Sequence, residues 1–301
     1  MARSREHLSG VLFASAAALL WSTGGLFIKL APLPGLGVAG VRSLITALFF
    51  LAVFRPKLRE ARWTTALAYA GMILTFVTAT KLTTAANAIF LQYTGPAYVL
   101  LFSPWVLGEK LERIDIVCVL LSIAGMSLLL VDKVEAGAAL GNLLGVASGL
   151  FFGLSVLFLR RDALRGGSGS LPSSTMGNLL AALVGVPFAL GPLRNVWAPM
   201  DVASAKAIGG LLWLGVVQMG VAYVFFDRAL RRVKAAEASL LCMLEPIFSP
   251  LWVVLGTGER PSTWALIGGA VVLCAVVLRT AWPAKLDKTT IAKTTDPETA
   301  A

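Results

Sequence analysis

Apolar runs long enough to cross a lipid bilayer recur along this chain of 301 residues, and they limit the folds open to it. A helix needs about 20 residues to cross the roughly 30 Å hydrocarbon layer. Runs of this kind succeed one another with short breaks, at 8–30, 35–54, 63–81, 84–107, 114–132, 139–159, 172–191, 204–227, 236–256 and 262–282. Because 57% of the residues are hydrophobic and 14% are charged, the sequence predicts an all-α membrane protein with ten transmembrane helices.

The basic residues fall mainly in alternate loops. One set of loops and termini holds 19 of the 26 Lys and Arg residues and the other set holds 6, while Arg42 lies early in the second span. Short loops with such an excess lie in the cytoplasm, so we expect cytoplasmic N- and C-termini and a multi-pass protein of the cell inner (plasma) membrane. Arg42 is expected to extend to the outer interface. The net charge of +10 indicates contact with membrane lipid, and no nucleic-acid partner is expected.

The sequence contains an internal repeat. A shift of 150 residues lays 85–110 on 235–260, with Pro96 on Pro246. A second shift, of 131 residues, lays the first span on the sixth, so that Trp21 and Phe152 coincide. The repeated unit is five spans long, and because five is odd the two copies enter the membrane in opposite orientations. Inverted repeats are typical of transporters.

The repeat defines the expected domains. Residues 1–135 form the first repeat with helices 1–5, and residues 136–283 form the second, inverted repeat with helices 6–10. The polar tail 284–301 is predicted to be disordered and cytoplasmic. Gly108 and Glu109, which come after the fourth apolar run, are interpreted as a helix end.

Two segments carry a family resemblance: KLTTAANAIFLQYTGPAYVLLFSPWVLGEK and ALRRVKAAEASLLCMLEPIFSPLWVVLGTGER. In the Ala-Ala pair, the mid-helix Pro and the Gly-Glu-Lys/Arg end, each resembles the EamA-type repeats of the drug/metabolite transporter (DMT) superfamily. The start ALLWSTGGLFIK is most similar to the YddG-type amino-acid exporters. The resemblance implies two inverted five-helix bundles around a central cavity. It also implies export of small metabolites, with aromatic and other neutral amino acids as the substrates of YddG-type members, and an alternating-access mechanism fits this design.

Proline residues point to the fourth and ninth spans as the lining of a substrate site. Pro96 and Pro246 each leave a backbone carbonyl without its helical partner, which is tolerable where the helix lines a cavity. In a continuous fourth helix, Asn87, Thr94 and Tyr98 share one face, with Phe90 beside them, and Gln92 points about 120° or more away. A polar and aromatic face suits an amino acid. The alternative is that these residues only pack and join helices.

Other candidate substrate-binding residues lie on the first, third and sixth spans. Trp21 and Ser22 lie at mid-membrane and either line the cavity or pack against neighbours. Thr75 and Thr78 either face the cavity or bond to their own helix backbone. Phe152, the repeat partner of Trp21, supplies a facing aromatic wall or packs.

Glu245 is an ionisable residue inside an apolar run, where a charge costs about 2.5 to 3.5 kcal/mol on insertion scales. Three roles are open: carrying a proton, contacting a substrate ammonium group, or bonding to backbone freed by the prolines. The Glu-Pro pair common at this place in the resembled family favours the structural role. Protons are therefore a partner only under the first role.

The remaining composition argues against enzymatic and metal chemistry. The cysteines lack metal-ligand spacing, and His7 is the single histidine, so we expect no metal, no cofactor and no enzyme activity. No ATP-binding motif is present, which indicates a secondary transporter. We expect a monomer whose substrate is a small molecule, an amino acid. The alternatives are proton-coupled efflux of cationic or drug-like compounds, with Glu245 as counter-ion, and an integral-membrane lipid-modifying enzyme.

Overall fold

The structure is a computed structural model that describes residues 2–129, 139–165, 167–197, 202–249, 252 and 263–282. Within these residues the protein is helical and contains no β-strand, which confirms the all-α fold class. The helices are α1 (Ala2–Trp21), α2 (Gly24–Leu30), α3 (Gly35–Val53), α4 (Trp63–Leu82), α5 (Ala85–Gln92), α6 (Gly95–Leu107), α7 (Arg113–Leu129), α8 (Ala139–Ala163), α9 (Leu171–Gly185), α10 (Pro187–Trp197), α11 (Val202–Leu212), α12 (Ala222–Leu230), α13 (Ala235–Cys242), α14 (residues 245–249) and α15 (Thr263–Ala281). The predicted tail 284–301 lies outside the described residues.

Five helical stretches are long and apolar enough to cross a membrane, judged by length and composition. They are Arg5–Leu30, Gly35–Val53, Trp63–Leu82, Ala139–Ala163 and Val202–Leu230, and they coincide with the predicted first, second, third, sixth and eighth spans. In the described residues, the fourth, seventh and ninth predicted spans are interrupted, the fifth contains the 17-residue α7, and the apolar stretch of the tenth is the shorter Leu266–Ala281. The total of ten spans stays a prediction.

The outer surface of the helical bundle is apolar. Large hydrophobic side chains point outward from several helices, including Trp105, which is 75% exposed, and Leu183, which is 74% exposed. A protein surrounded by water rarely exposes so many large apolar side chains. This surface is suited to contact with lipid acyl chains.

The fourth and ninth predicted spans are interrupted at equivalent positions. α5 ends at Gln92 and α6 begins at Gly95, while α13 ends at Cys242 and α14 begins at residue 245. The repeat shift of 150 residues carries the first break onto the second. In each case a proline lies within the first turn of the new helix, and its missing N–H cannot bond to the carbonyl four residues earlier.

The first predicted span is also broken, next to the tandem glycine that allows either a bend or close helix packing. α1 ends at Trp21, and the hydroxyls of Ser22 and Thr23 donate to the carbonyls of Leu19 and Leu20 at 2.6 and 2.8 Å. Such side chains compete with backbone hydrogen bonding. The tandem glycine at the start of α2 weakens the helix further. α8, the repeat equivalent, runs unbroken for 25 residues.

The eighth predicted span changes its helical form near its middle. Residues Trp213–Val221 are π-helical and join α11 to α12. π-helical turns are rare and often occur at functional sites. The second repeat therefore has an irregular segment where α4, its equivalent in the first repeat, is regular.

Helix packing across the two predicted repeats comes in matched pairs. α4 packs on α8, and the corresponding contact with the two repeats exchanged is that of α12 with α1. α4 also packs on α9, matched by α3 on the π-helical segment, and α5 packs on α8, matched by α13 on α1. Two further contacts, α3 with α9 and α7 with α15, join equivalent helices of the two repeats, so each stays the same when the repeats are exchanged. This arrangement is the one expected for two copies of a unit related by a two-fold axis.

A glycine stripe on α8 brings it close to the broken fourth span. Gly145, Gly149 and Gly153 recur at intervals of four residues, so they share one helix face. Cβ atoms added at Gly145 and Gly153 would lie 2.8 Å from Leu91 Cδ1 and 2.8 Å from Tyr98 Cβ. A Cβ added at Gly149 would overlap Thr94 Oγ1. Small residues permit this approach of helix backbones.

Candidate functional site

A cavity lies where the irregular helices meet. Its empty volume is about 390 Å3, including the space at its mouth. Both predicted repeats contribute to its lining, which consists of Trp21, Arg42, Met72, Ile73, Phe76, Gln92, Phe152, Gln218, Met219, Tyr223 and Glu245. Apolar walls with a few polar groups are typical of small-molecule sites.

Four lining residues lie at irregular backbone. Trp21 and Gln92 are the last residues of α1 and α5, and Glu245 begins the helix after the second equivalent break. Gln218 lies within the π-helical segment. Irregular backbone at membrane depth is tolerated where protein buries it or a cavity borders it, and transporters bind substrate at such segments. This cavity is therefore the candidate substrate site.

Glu245 is held by a tyrosine from the other repeat. Its side chain is buried, and the Tyr93 hydroxyl donates a hydrogen bond to its Oε2 at 2.8 Å. The same hydroxyl lies 2.7 Å from the backbone carbonyl oxygen of Cys242. Because a hydroxyl carries a single proton, these two oxygens compete for it. Tyr93 thus links the break in the fourth span to the break in the ninth.

Arg42 lines the same cavity and has few partners. It is 3% exposed, and its Nη1 donates to Oε1 of Gln218 over 3.3 Å. Nε of Arg42 is buried without a hydrogen-bond partner in the described part of the chain. Gln218 in turn donates from Nε2 to the backbone carbonyl of Trp21 at 3.5 Å. These contacts connect α3, the π-helical segment and the end of α1.

Aromatic rings line part of the cavity and pack on further rings. The ring centroids of Trp21 and Tyr223 are 5.0 Å apart, and those of Tyr223 and Tyr69 are 4.8 Å apart. Phe152 packs against Tyr93 with centroids 5.8 Å apart. Such tilted and edge-on contacts hold the rings in place. Among the residues that the structure describes, no group of three His, Cys, Asp or Glu side chains could hold a metal ion.

The structure places three of the predicted substrate-binding residues in the cavity lining: Trp21, Phe152 and Glu245. The helix-breaking prolines Pro96 and Pro246 are buried beside the two equivalent breaks. Trp21 and Phe152 are repeat equivalents, so the expectation that both face one cavity agrees with their positions. Their contact with substrate stays a prediction.

The predicted polar face of the fourth span packs against α8 and is not part of the described cavity lining. Asn87 donates from Nδ2 to Thr83 Oγ1 at 3.0 Å and to Asn142 Oδ1 at 2.5 Å. Thr94 and Tyr98 lie over the glycine stripe of α8. The turn after Gln92 rotates α6 relative to α5, so the residues before and after this turn do not share one helix face. The packing alternative describes these residues better.

The remaining candidates also lie outside the lining. Phe90 is partly buried against the hydrophobic core. Thr75 donates to the carbonyl of Gly71 at 2.6 Å, as helical threonine commonly does, and Thr78 has a buried hydroxyl without a partner in the described residues. The Ser22 hydroxyl accepts a hydrogen bond from Nε1 of Trp252 at 2.7 Å.

Two orientations inferred from the sequence are wrong. Gln92 was expected to point away from the site, but it lines the cavity and is 7% exposed, because the helix ends there. Arg42 was expected to reach the outer interface, but it turns inward, since α3 packs its face against the π-helical segment.

Sequence reasoning missed Tyr93 and Gln218 and assigned no site role to Arg42. Arg42 carried a usable signal, because an ionisable residue inside an apolar span commonly faces a cavity and has a function. Tyr93 adjoins the break that Pro96 predicts. Gln218 had no signal beyond its polarity, since π-helical form cannot be read from its neighbours.

A model of the EamA-like transporter family matches residues 8–131 and, a second time, residues 139–281. The chain belongs to this family. EamA-like membership makes it a multi-pass membrane transporter and confirms the broad resemblance. The narrower likeness to YddG-type exporters stays a prediction.

Several relatives of this chain are named as transporters. An uncharacterized transporter of Archaeoglobus fulgidus is 27% identical over 213 residues, which cover 70% of this chain and 72% of the relative. The pseudopaline exporter CntI of Pseudomonas aeruginosa is 24% identical over 279 residues, covering 89% of this chain and 95% of the exporter. A solved crystal structure with 19% identity superposes with a TM-score of 0.72 over 96% of this chain and all of that chain, which supports the fold.

Proposed function

We propose that the protein is a secondary transporter that exports small metabolites, mainly aromatic and other neutral amino acids, across the inner (plasma) membrane by alternating access. The observation that carries the proposal is a cavity in which two buried charged side chains, the acidic Glu245 and the basic Arg42, lie among aromatic rings. An amino acid carries two opposite charges and, in the aromatic members, a large apolar side chain. Both parts have a counterpart in this lining.

The architecture in this proposal is two inverted five-helix repeats, residues 1–135 and 136–283, with both termini in the cytoplasm and a monomer as the working unit. Support comes from the equivalent breaks before Pro96 and Pro246 and from the matched helix contacts. The alternation of basic loops supports the orientation. Motion of one repeat against the other would expose the cavity to each side in turn.

Within this proposal Glu245 receives the ammonium group of the substrate. Its carboxylate borders the cavity, and in the described residues the hydrogen bond from Tyr93 is the one that it accepts. The acceptor capacity of a carboxylate exceeds one bond, so the group can accept an ammonium proton as well. The structural role is supported less, because in the described residues Glu245 reaches the freed Cys242 carbonyl only through the Tyr93 hydroxyl and makes no bond to backbone itself.

A counterflow assay tests the proposal. Proteoliposomes loaded with unlabelled phenylalanine should take up labelled phenylalanine, and Glu245→Gln should slow this exchange about tenfold through loss of a charge-assisted bond. Glu60→Gln, which changes an exposed carboxylate outside the cavity, is the matched control and should exchange at the wild-type rate. Absence of exchange in wild-type vesicles, with and without a proton gradient, would contradict the proposal.

Proton-coupled efflux of cationic compounds is the second candidate, favoured by the buried carboxylate of Glu245 in an apolar lining. Arg42 in the same lining argues against it, because two positive charges would share one low-dielectric cavity. Proton-driven efflux of a lipophilic cation that is lost in Glu245→Gln would favour this candidate. Turnover of a labelled lipid by the purified protein would instead indicate an enzyme.

A further inference from the structure

Three arginine side chains in the described part of the chain are buried, and their partners differ. Nε of Arg279 lies 2.5 Å from Asp115, and Nε of Arg160 lies 2.8 Å from Glu109. Arg42 is buried as deeply, yet in the described residues no carboxylate oxygen lies within 4.0 Å of its guanidinium nitrogens. A buried charge without a partner is unfavourable. Arg42 therefore lacks an anionic partner that the other two arginines have.

The guanidinium of Arg42 has unused donor capacity. It carries five N–H groups, and one of them reaches Gln218 over 3.3 Å, which is longer than a typical N–H···O bond. Nε has no partner within the described residues. The cavity is bordered by a second donor of this kind, since Nε1 of Trp21 is also buried without a partner there. The lining thus offers hydrogen-bond donors that an anion would satisfy.

Glu245 is the acidic residue of the lining, but in the described residues it does not form an ion pair with Arg42. Glu245 borders the same cavity, but its nearest hydrogen-bond donor in the described residues is Tyr93. A direct ion pair would neutralise both side chains and close the space between them. Because they stay apart, the cavity presents a positive and a negative group to one occupant.

We infer that Arg42 binds the carboxylate of the transported molecule and so selects carboxylate-bearing compounds over amines that lack this group. Planar guanidinium groups bind carboxylates through two parallel hydrogen bonds, a geometry that an amide or an amine cannot reproduce. Gln218 positions the guanidinium by accepting from Nη1. The inference rests on the proposed transport function and adds the group by which the substrate is recognised.

A purely structural role for Arg42 makes a different prediction. If the guanidinium only balanced the charge of Glu245 across the cavity, its loss would weaken all ligands alike or unfold the protein. If it binds the carboxylate, its loss weakens ligands that carry this group and spares those that do not. The selectivity between ligands therefore separates the two roles.

The experiment is ligand binding to the purified full-length protein in detergent, measured by isothermal titration. Three probes share one aromatic side chain: phenylalanine, phenylalaninamide, which lacks the carboxylate, and 3-phenylpropionate, which lacks the ammonium. Wild type should bind phenylalanine and 3-phenylpropionate, and Arg42→Gln should weaken both at least about tenfold while phenylalaninamide changes less than about twofold. Arg42→Lys, which keeps the charge but not the planar fork, should lie between them. Arg59→Gln removes an exposed arginine outside the cavity and should match wild type.

The outcomes separate this inference from the proposed transport function. If wild type binds 3-phenylpropionate and Arg42→Gln does not, the carboxylate-binding role of Arg42 is supported, even where phenylalanine counterflow fails. Phenylalanine counterflow that is equal in wild type and Arg42→Gln overturns the role of Arg42 and leaves the transport function standing. Failure of both carboxylate probes to bind wild type, or equal weakening of all three probes in Arg42→Gln and Arg42→Lys, also overturns it.

Discussion

Glu109, just after the end of α6, accepts a hydrogen bond from Nε of Arg160 on α8, with 2.8 Å between Nε and Oε1. Its other carboxylate oxygen accepts from the backbone N–H of Ala235 at 3.1 Å. Arg160 also donates from Nη1 to the carbonyl of Leu230. A residue interpreted from the sequence as part of a helix end therefore joins the two predicted repeats. Gly108 beside it does end α6, in the left-handed conformation.

Further ion pairs join the repeats on the same side of the protein, the one rich in Lys and Arg. They are Lys234 with Glu112, Arg279 with Asp115, and Arg62 with Asp162, and Nε2 of His7 also lies 2.9 Å from Oε1 of Glu237. At the opposite ends of the described helices no ion pair occurs, and Lys29 and Lys81 donate to backbone carbonyls instead. We therefore expect access to the cavity from the basic side to require breaking these pairs.

Loss of the Glu109 contacts should open the basic side. Glu109→Gln removes the charge that holds Arg160, which weakens the contact by about 1.5 to 3 kcal/mol and shifts the population toward open forms by about 10- to 150-fold. In a Cys118→Ala, Cys274→Ala background, Cys242 is the single cysteine and is buried. Its labelling by a membrane-impermeant maleimide added on the basic side should accelerate.

Glu60→Gln is the control for this experiment, since Glu60 lies 3.9 Å from Lys57 in an exposed pair within one loop. Its labelling rate should equal that of the parent. Equal rates in Glu109→Gln and Glu60→Gln would show that Glu109 does not keep this side closed.

The pair of Asp115 and Arg279 should contribute strongly to stability. Both side chains are at most 2% exposed, and the pair joins α7 to α15. Arg279→Gln leaves the carboxylate unpaired, which costs about 3–5 kcal/mol, and should lower the Tm measured in detergent. Adding Asp115→Asn removes the second charge and should restore part of the loss. A Tm that falls further in the double variant would contradict this account.

Close packing of α8 on the broken fourth span should not tolerate a methyl group at Gly149. The added Cβ would overlap Thr94 Oγ1 and lie 2.8 Å from the Leu91 carbonyl oxygen. Overpacking of this kind costs about 1–3 kcal/mol, so Gly149→Ala should lower the Tm. Gly209→Ala on α11 meets no atom within 4 Å and should leave the Tm unchanged or raise it. Identical Tm values for the two variants would show that α8 can move away.

Gln92 should affect transport and Asn87 should affect stability, which is the reverse of what the sequence predicts for them. Gln92 borders the cavity, so Gln92→Leu should raise the KM for transport up to about tenfold with little change in Tm. Asn87 joins α5 to α8 through Asn142, so Asn87→Leu should lower the Tm and leave the KM of the folded protein near wild type. A raised KM in Asn87→Leu with unchanged Tm would place Asn87 back in the substrate site.

The helix breaks illustrate how far sequence reasoning reaches. Pro96 and Pro246 predicted interruptions in the fourth and ninth spans, and the structure has them three residues before each proline. Proline acts locally through its missing N–H, so its effect can be read without tertiary information. The tandem Gly24 and Gly25 allow either a bend or close helix packing, so the sequence alone did not decide whether the first span breaks after Trp21.

The direction in which these side chains point could not be predicted from the sequence, because it depends on helix continuity and on tertiary packing. A helix face is defined only while the helix is continuous, and the two residues of turn after Gln92 rotate α6 relative to α5. The rotation of α3, which turns Arg42 inward, is set by packing against the π-helical segment and α9. The pattern of apolar residues within α3 does not indicate which helices pack against each of its faces.

By itself the sequence determined that the chain is helical and apolar outside, that it carries two related halves, and that prolines interrupt equivalent helices. These properties arise from local backbone chemistry and from the absence of water in a bilayer, which forces backbone groups to pair within helices. The tertiary structure alone decided that Arg42, Gln92 and Glu245 border one cavity while Asn87 and Tyr98 pack against α8. Such groupings depend on how helices from the two halves rotate and approach, and close packing between distant segments sets both.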